Sequence, residues 1–151
     1  MYKKKFKKEK VIPYGRQNIT PEDIQEVVKV LESEYITQGE KIPAFEQGLC
    51  NSVSSKFAIA VNSATSALHV ACLALELKRD DILWTTPISF LSSANCGLFC
   101  GAKIDFVDIN ITTGLLNINA LKIKLEIAKE NNTLPKILIP VHLAGSSCDM
   151  E

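Results

Sequence analysis

Between residues 57 and 141 the sequence alternates short β-rich runs with helical ones, and no other feature constrains the fold as tightly. The runs are 57–61 then a helix over 65–77, 81–85 then a helix over 89–99, 103–108 then a helix over 119–131, and last 136–141. Helical connections of this length predict parallel strands joined by crossovers. The fold class expected is therefore α/β, a mostly parallel sheet flanked by helices. In such sheets ligands bind beyond the carboxyl ends of the strands, so the loops after Val61 and Thr86 carry most functional information.

Two helices precede this series. Thr20-Pro21-Glu22-Asp23 provides a hydroxyl cap, a proline at the first helical position and carboxylates at the positive end of the dipole. The helix is expected to reach about Glu34, with Ile24, Val27, Val28 and Leu31 as one apolar stripe facing the body. After Gln38-Gly39 a second helix should turn Phe45, Leu49 and Val53 inward.

Hydrophobic residues make up 46% and charged residues 23% of the 151, an ordinary globular balance that fits one domain. No apolar run reaches the roughly 18 residues of a membrane helix, and no apolar segment follows the basic start as a secretory signal requires, so a cytoplasmic location is expected. Residues 3–10 hold six lysines and one glutamate, leaving 11 basic against 16 acidic residues elsewhere. With only Phe6 interleaved, residues 1–10 read as a basic flexible tail rather than a nucleic-acid or membrane patch. The odd number of cysteines, five, fits reduced thiols rather than a disulfide framework. Cys96 and Cys100 share a helix face but lack a second ligand pair at zinc spacing.

Asn62-Ser63-Ala64-Thr65-Ser66-Ala67-Leu68 joins a strand to a helix through small polar residues. Its first-turn N–H groups and the Ser63, Thr65 and Ser66 hydroxyls suit a phosphate, although the same run also serves as a plain helix cap. It is neither GxGxxG nor a Walker loop, which sets nicotinamide and P-loop readings aside. Thr85-Thr86-Pro87-Ile88-Ser89-Phe90 ends the next strand and puts Phe90 in the first turn of the following helix, as a core residue or as a flat lid for a planar ring. A phosphate cradle after one strand and an aromatic after the next describe a site for a phosphorylated aromatic cofactor.

These runs occur in a specific order: Tyr35-Ile36-Thr37-Gln38-Gly39, Phe45-Glu46, Asn62 to Leu68, Thr85 to Phe90, Ala94-Asn95, Phe106-Val107-Asp108 and Pro140-Val141-His142-Leu143-Ala144-Gly145. Together they resemble the DegT/DnrJ/EryC1/StrS aminotransferase family over nearly all of residues 11–151. The resemblance implies the N-terminal part of a fold-type-I large domain that uses pyridoxal 5'-phosphate, usually as a homodimer. It further implies amino transfer, with glutamate as donor, to a keto group on a nucleotide-linked sugar. Carried over by position, Ala64 and Thr65 contact the cofactor phosphate, with Ser63 and Ser66 as further candidates, and Phe90 stacks on the pyridine ring. Tyr35, Thr37 and Gln38 belong to the loop that approaches the nucleotide sugar. His142 is either a substrate contact or a structural group satisfying its own loop.

The family's Schiff-base lysine and its pyridinium-partnering aspartate match no position of this chain; Asp149 does not fill the latter role. Those two groups tune the cofactor's chemistry, so the chain alone is expected to be inactive. The expectation is of a fragment, with a non-catalytic interaction module or one half of a split enzyme as the alternative. An incomplete parallel sheet also predicts an uncovered edge and exposed apolar surface.

Overall fold

The computed structural model describes Pro13 and residues 15–150, so the basic run at 1–10 lies outside the described residues. The chain divides into two compact units, Met1–Ala60 and Val61–Glu151.

The first unit contains α1 (Pro21–Leu31) and α2 (Lys41–Val53). Thr20 caps α1 in a reciprocal box: its Oγ1 accepts from the Asp23 N–H, and Asp23 Oδ2 accepts from the Thr20 N–H at 2.8 Å. α1 ends at Leu31, a turn earlier than its pattern suggests. Neither helix buries a residue, and Ile24, Val27, Val28 and Leu31 are all more than 40% exposed, as are Phe45 and Val53. This corrects the inward orientation expected for both stripes. Amphipathic periodicity records a face that needs cover; it does not supply the covering surface.

The run at 57–61 is also corrected, because it is not a strand. A strand exists only through a partner, and here the Ala60 N–H donates to Glu46 Oε1 at 2.8 Å instead of entering a ladder. Phe57 and Ile59 stay exposed.

The second unit contains α3 (Ala64–Ala74), β1 (Ile82–Thr85), α4 (Ser92–Phe99), β2 (Lys103–Phe106), α5 (Ile118–Glu130) and β3 (Ile137–Ile139). Among the described residues these strands form one sheet of order β2-β1-β3, parallel throughout, with Leu83 opposite Ile104 on one side and Ile137 on the other. Alternation along β1 sends neighbouring side chains to opposite faces. Leu83 enters a core with Cys72, Leu77, Cys96 and Ala102 from the α3 and α4 side. Trp84 enters another with Val107, Leu116, Ala128 and Cys148 on the α5 side. The parallel sheet flanked by helices is thus the expected α/β architecture. Because β1 and β3 run the same way, the loops carrying Phe90 and His142 leave the sheet at one edge.

Candidate functional site

At the start of α3, Ser63 is the extended N-cap, and its Oγ accepts from the Ser66 N–H at 3.2 Å. The Ser66 hydroxyl donates to Asn62 Oδ1 at 2.6 Å, and the Ser63 hydroxyl lies within reach of Asn62 Oδ1 and Ser66 Oγ. The Ser63 and Ser66 protons are therefore engaged in holding the cap. The N–H groups of Ala64 and Thr65 open the helix without an intrahelical acceptor and point out of its positive end. Thr65 Oγ1 pairs with Ser92 Oγ at 2.6 Å, joining the first residue of α4 to the first turn of α3.

β1 delivers the next residues. Thr85 Oγ1 donates to the Ile139 carbonyl at 3.1 Å, tying the carboxyl ends of β1 and β3 together. Thr86 is 3% exposed, and its Oγ1 has no hydrogen-bond partner among the described residues. Phe90 precedes α4 instead of occupying its first turn, because the helix begins only at Ser92. Phe90 is 78% exposed, so it is not a core residue. Ser89 Oγ and Ser93 Oγ, 2.7 Å apart, fix the turn that presents it. Two outward amide donors beside a hydroxyl pair, with an uncovered aromatic two residues away on the same turn, suit an anion attached to a flat ring.

His142 follows β3 and is exposed, and its Nδ1 accepts from the Cys148 N–H at 3.0 Å. The neutral ring therefore carries its proton on Nε2, while Cys148 Sγ donates to the Val141 carbonyl at 3.3 Å and closes the loop from the other end. His142 thus ties its own loop together through Nδ1.

In the first unit, Tyr35, Thr37 and Gln38 line a single cavity of about 410 Å³ with Lys29, Lys41 and Glu34. Lys29 bonds one oxygen of Glu26 at 2.6 Å and Lys41 bonds the other, so both ammonium groups are held on one carboxylate. Hydrogen bonds from Lys29 and then Lys41 bring the Glu26 carboxyl down to about 2.

Ser92, which pairs with Thr65, lies outside every run the sequence reasoning singled out, while Asn62 and Thr86 lie inside such runs without a role of their own. For Ser92 the available signal was a pair of hydroxyls, Ser92-Ser93, opening a helix that otherwise packs apolar residues on the sheet. Among the described residues no three His, Cys, Asp or Glu side chains are grouped to hold a metal, and no helix is long and apolar enough to cross a membrane.

A parallel sheet between helical layers, with Thr86 and Phe90 following β1 and His142 following β3, is part of the large domain of a fold-type-I pyridoxal-phosphate-dependent transferase. The chain belongs to the DegT/DnrJ/EryC1/StrS aminotransferase family, which it matches over residues 17–151. It is 39% identical over 141 residues to the UDP-4-amino-4,6-dideoxy-N-acetyl-beta-L-altrosamine transaminase of Campylobacter jejuni, a match covering 93% of this chain and 36% of that protein. Among solved structures, Helicobacter pylori PseC, an aminotransferase involved in pseudoaminic acid biosynthesis, superposes with a TM-score of 0.77 at 33% identity, covering 91% of this chain and 36% of PseC. Streptococcus pneumoniae Spr1654 in its PLP form gives 0.79 at 30% identity, covering 91% of this chain and 34% of that one. The chain thus spans about a third of the length of the relatives it matches.

Proposed function

We propose that this chain supplies the phosphate cradle, ring-facing aromatic and substrate loop of an aminotransferase that moves an amino group from glutamate to a nucleotide-linked keto-sugar. The assembly is a homodimer with pyridoxal 5'-phosphate as cofactor. Within the family, the Asn62 to Leu68 and Thr85 to Phe90 runs resemble the pseudaminic-acid pathway enzyme, whose substrate is a UDP-4-keto-6-deoxy-N-acetylhexosamine. The observation that carries the reading is the pair of outward Ala64 and Thr65 amides beside the Thr65–Ser92 hydroxyl pair, at the sheet edge where Phe90 is uncovered.

When bound, the cofactor supplies the electron sink and carries the amino group between donor and acceptor. The chain's own residues bind and orient. The Ala64 and Thr65 amides, with the Thr65 hydroxyl, hold the phosphate, and the helix dipole favours its charge. Ser63 and Ser66 keep the first turn in the shape that aims those amides. Phe90 packs on the face of the ring and excludes water from it. Tyr35, Thr37 and Gln38 contact the nucleotide sugar. His142 completes the substrate side by holding its loop through Cys148.

The test is amino transfer by the protein that contains this chain. Incubation with nitrogen-labelled glutamate and the UDP-keto-sugar should place label on the sugar and release one 2-oxoglutarate per amine formed. Unlabelled sugar with intact glutamate would remove the assignment. Borohydride reduction of this chain mixed with pyridoxal phosphate should single out no lysine, and stoichiometric trapping at one of them would contradict the placement of the reactive lysine elsewhere.

A second reading is favoured by the exposed apolar faces of α1 and α2. Here the chain acts as an interaction module or as one half of a split enzyme. Co-purification of a separately encoded partner, with transfer only in the mixture, would support it over the first.

A further inference from the structure

We infer that Ser92 is a positioning residue for the phosphate-binding hydroxyl of Thr65. This rests on the reading of Ala64 and Thr65 as phosphate contacts and adds a residue that does not itself touch the ligand. Thr65 Oγ1 and Ser92 Oγ lie 2.6 Å apart, and Ser92 is 6% exposed at the first position of α4. Each hydroxyl has a single proton, so the pair has two arrangements. If Thr65 donates to Ser92, it presents only lone pairs outward, and these repel an anion. If Ser92 donates to Thr65, the Thr65 proton is released and points toward the phosphate. A bound phosphate therefore selects the second arrangement, and Ser92 makes it available by giving its proton to Thr65. Donation from Ser92 also polarises the Thr65 O–H and strengthens the bond Thr65 gives.

Thr65 alone lacks this control. Without Ser92 its half-buried hydroxyl would rotate among the remaining acceptors, and part of each encounter with phosphate would find it pointing the wrong way. The neighbouring hydroxyls do not substitute, since the Ser66 proton is engaged with Asn62 and the Ser89 and Ser93 hydroxyls pair with each other.

The experiment uses the whole chain and compares pyridoxamine 5'-phosphate with pyridoxamine by titration calorimetry, the readout being the ratio of the two affinities. Wild type should favour the phosphorylated ligand. Ser92→Ala should reduce that preference about three- to tenfold, the worth of one ordinary hydrogen bond. Thr65→Ala should reduce it at least as much, and the double variant should be no worse than Thr65→Ala alone. Ser92→Cys keeps the volume and offers only a weak donor, so it should fall near Ser92→Ala and carries the test should the alanine variant fail to fold. Full preference in both Ser92 variants, or strictly additive losses in the double variant, would overturn the positioning role while leaving the phosphate reading intact. Absence of any preference in wild type would overturn the phosphate reading and this inference together.

Discussion

Gly97 of α4 lies so close to Ile104 of β2 that a β-carbon on it would sit 2.5 Å from Ile104 Cδ1, with Leu83 Cδ1 at 3.1 Å. The contact lets the helix descend onto the sheet and fixes the height of α4, whose other end holds Ser92 against Thr65. Gly97→Ala should lower stability by about 1–3 kcal/mol, the usual cost of overpacking. Ile104→Val removes the offending Cδ1, so the double variant should recover part of that loss. Urea melts measure both, and an undiminished Gly97→Ala variant would show that α4 rides higher than its packing indicates.

On the opposite face, Lys124 Nζ lies 4.9 Å from the Trp84 ring centroid, 2.6 Å from Asp105 and 2.7 Å from the Phe106 carbonyl. Partial burial raises the Asp105 carboxyl, but the Lys124 hydrogen bond, the Phe106 amide and the lysine charge outweigh it and leave the group lowered. A carboxyl lowered on folding stabilises fully above its unfolded value, about 3.9, and loses that contribution as the pH falls through the folded value. Asp105 is more than half exposed, so the acid-labile part should be only a few tenths of a kcal/mol. Thermal melts between roughly pH 2 and 5 should show a shallower acid slope for Asp105→Asn than for wild type. Lys124→Met, which keeps the stem over Trp84, should cost about 1–2 kcal/mol at neutral pH. Identical acid slopes for wild type and Asp105→Asn would show that the pair contributes nothing.

The thiols should separate by environment. Burial, then a hydrogen bond with Cys96 and the nearby Cys96 and Cys100, pushes the Cys72 thiol up to about 12. Burial and Cys96 also raise Cys100. Since the thiolate is the reactive form, iodoacetamide should label the half-buried Cys50 of α2 first and Cys100 more slowly. Cys72 and Cys96, 2% and 0% exposed, should react only on unfolding. Labelling of Cys72 at the rate of Cys50 would mean that α3 and α4 separate in the native state.

The parallel sheet and its helices were legible in the sequence because a strand covered on both faces reads as a short apolar run, as at Leu83 and Trp84, both buried, and these runs alternate with stretches long enough for a helix. The run at 57–61 was misread because its pattern says only that it suits a ladder; pairing belongs to the partner. The α1 stripe at Ile24 to Leu31 was read correctly as a face and wrongly as a covered one, for the same reason. At the site, the small polar run before α3 announced its cap and its free amides locally. The Ser92-Ser93 pair marked hydroxyls at the start of α4, but the role of Ser92 was not legible because its partner Thr65 is 27 residues away, and nothing in a single sequence records which hydroxyls meet. Phe90 was placed in the first turn of a helix expected over 89–99, while α4 actually starts beyond it, at Ser92.

The Tyr35 to Gly39 turn gives a last test that separates backbone shape from side-chain contact. Gln38 has φ +56°, a left-handed conformation that favours glycine. Replacing it with glycine should therefore stabilise the turn by up to about 1 kcal/mol if only the backbone matters. Gly39 has the opposite constraint, because a β-carbon there would lie 2.9 Å from the Tyr35 carbonyl oxygen, a backbone atom that cannot swing aside. Gly39→Ala must open the turn and with it the cavity that Tyr35, Thr37 and Gln38 line. With UDP as the probe, Gly39→Ala should weaken binding several-fold. Gln38→Gly should weaken binding too while raising the melting temperature, since it removes a proposed substrate contact and relieves strain at once. A Gln38→Gly variant that is more stable and binds UDP as wild type does would keep the turn as architecture and remove Gln38 from the substrate contacts.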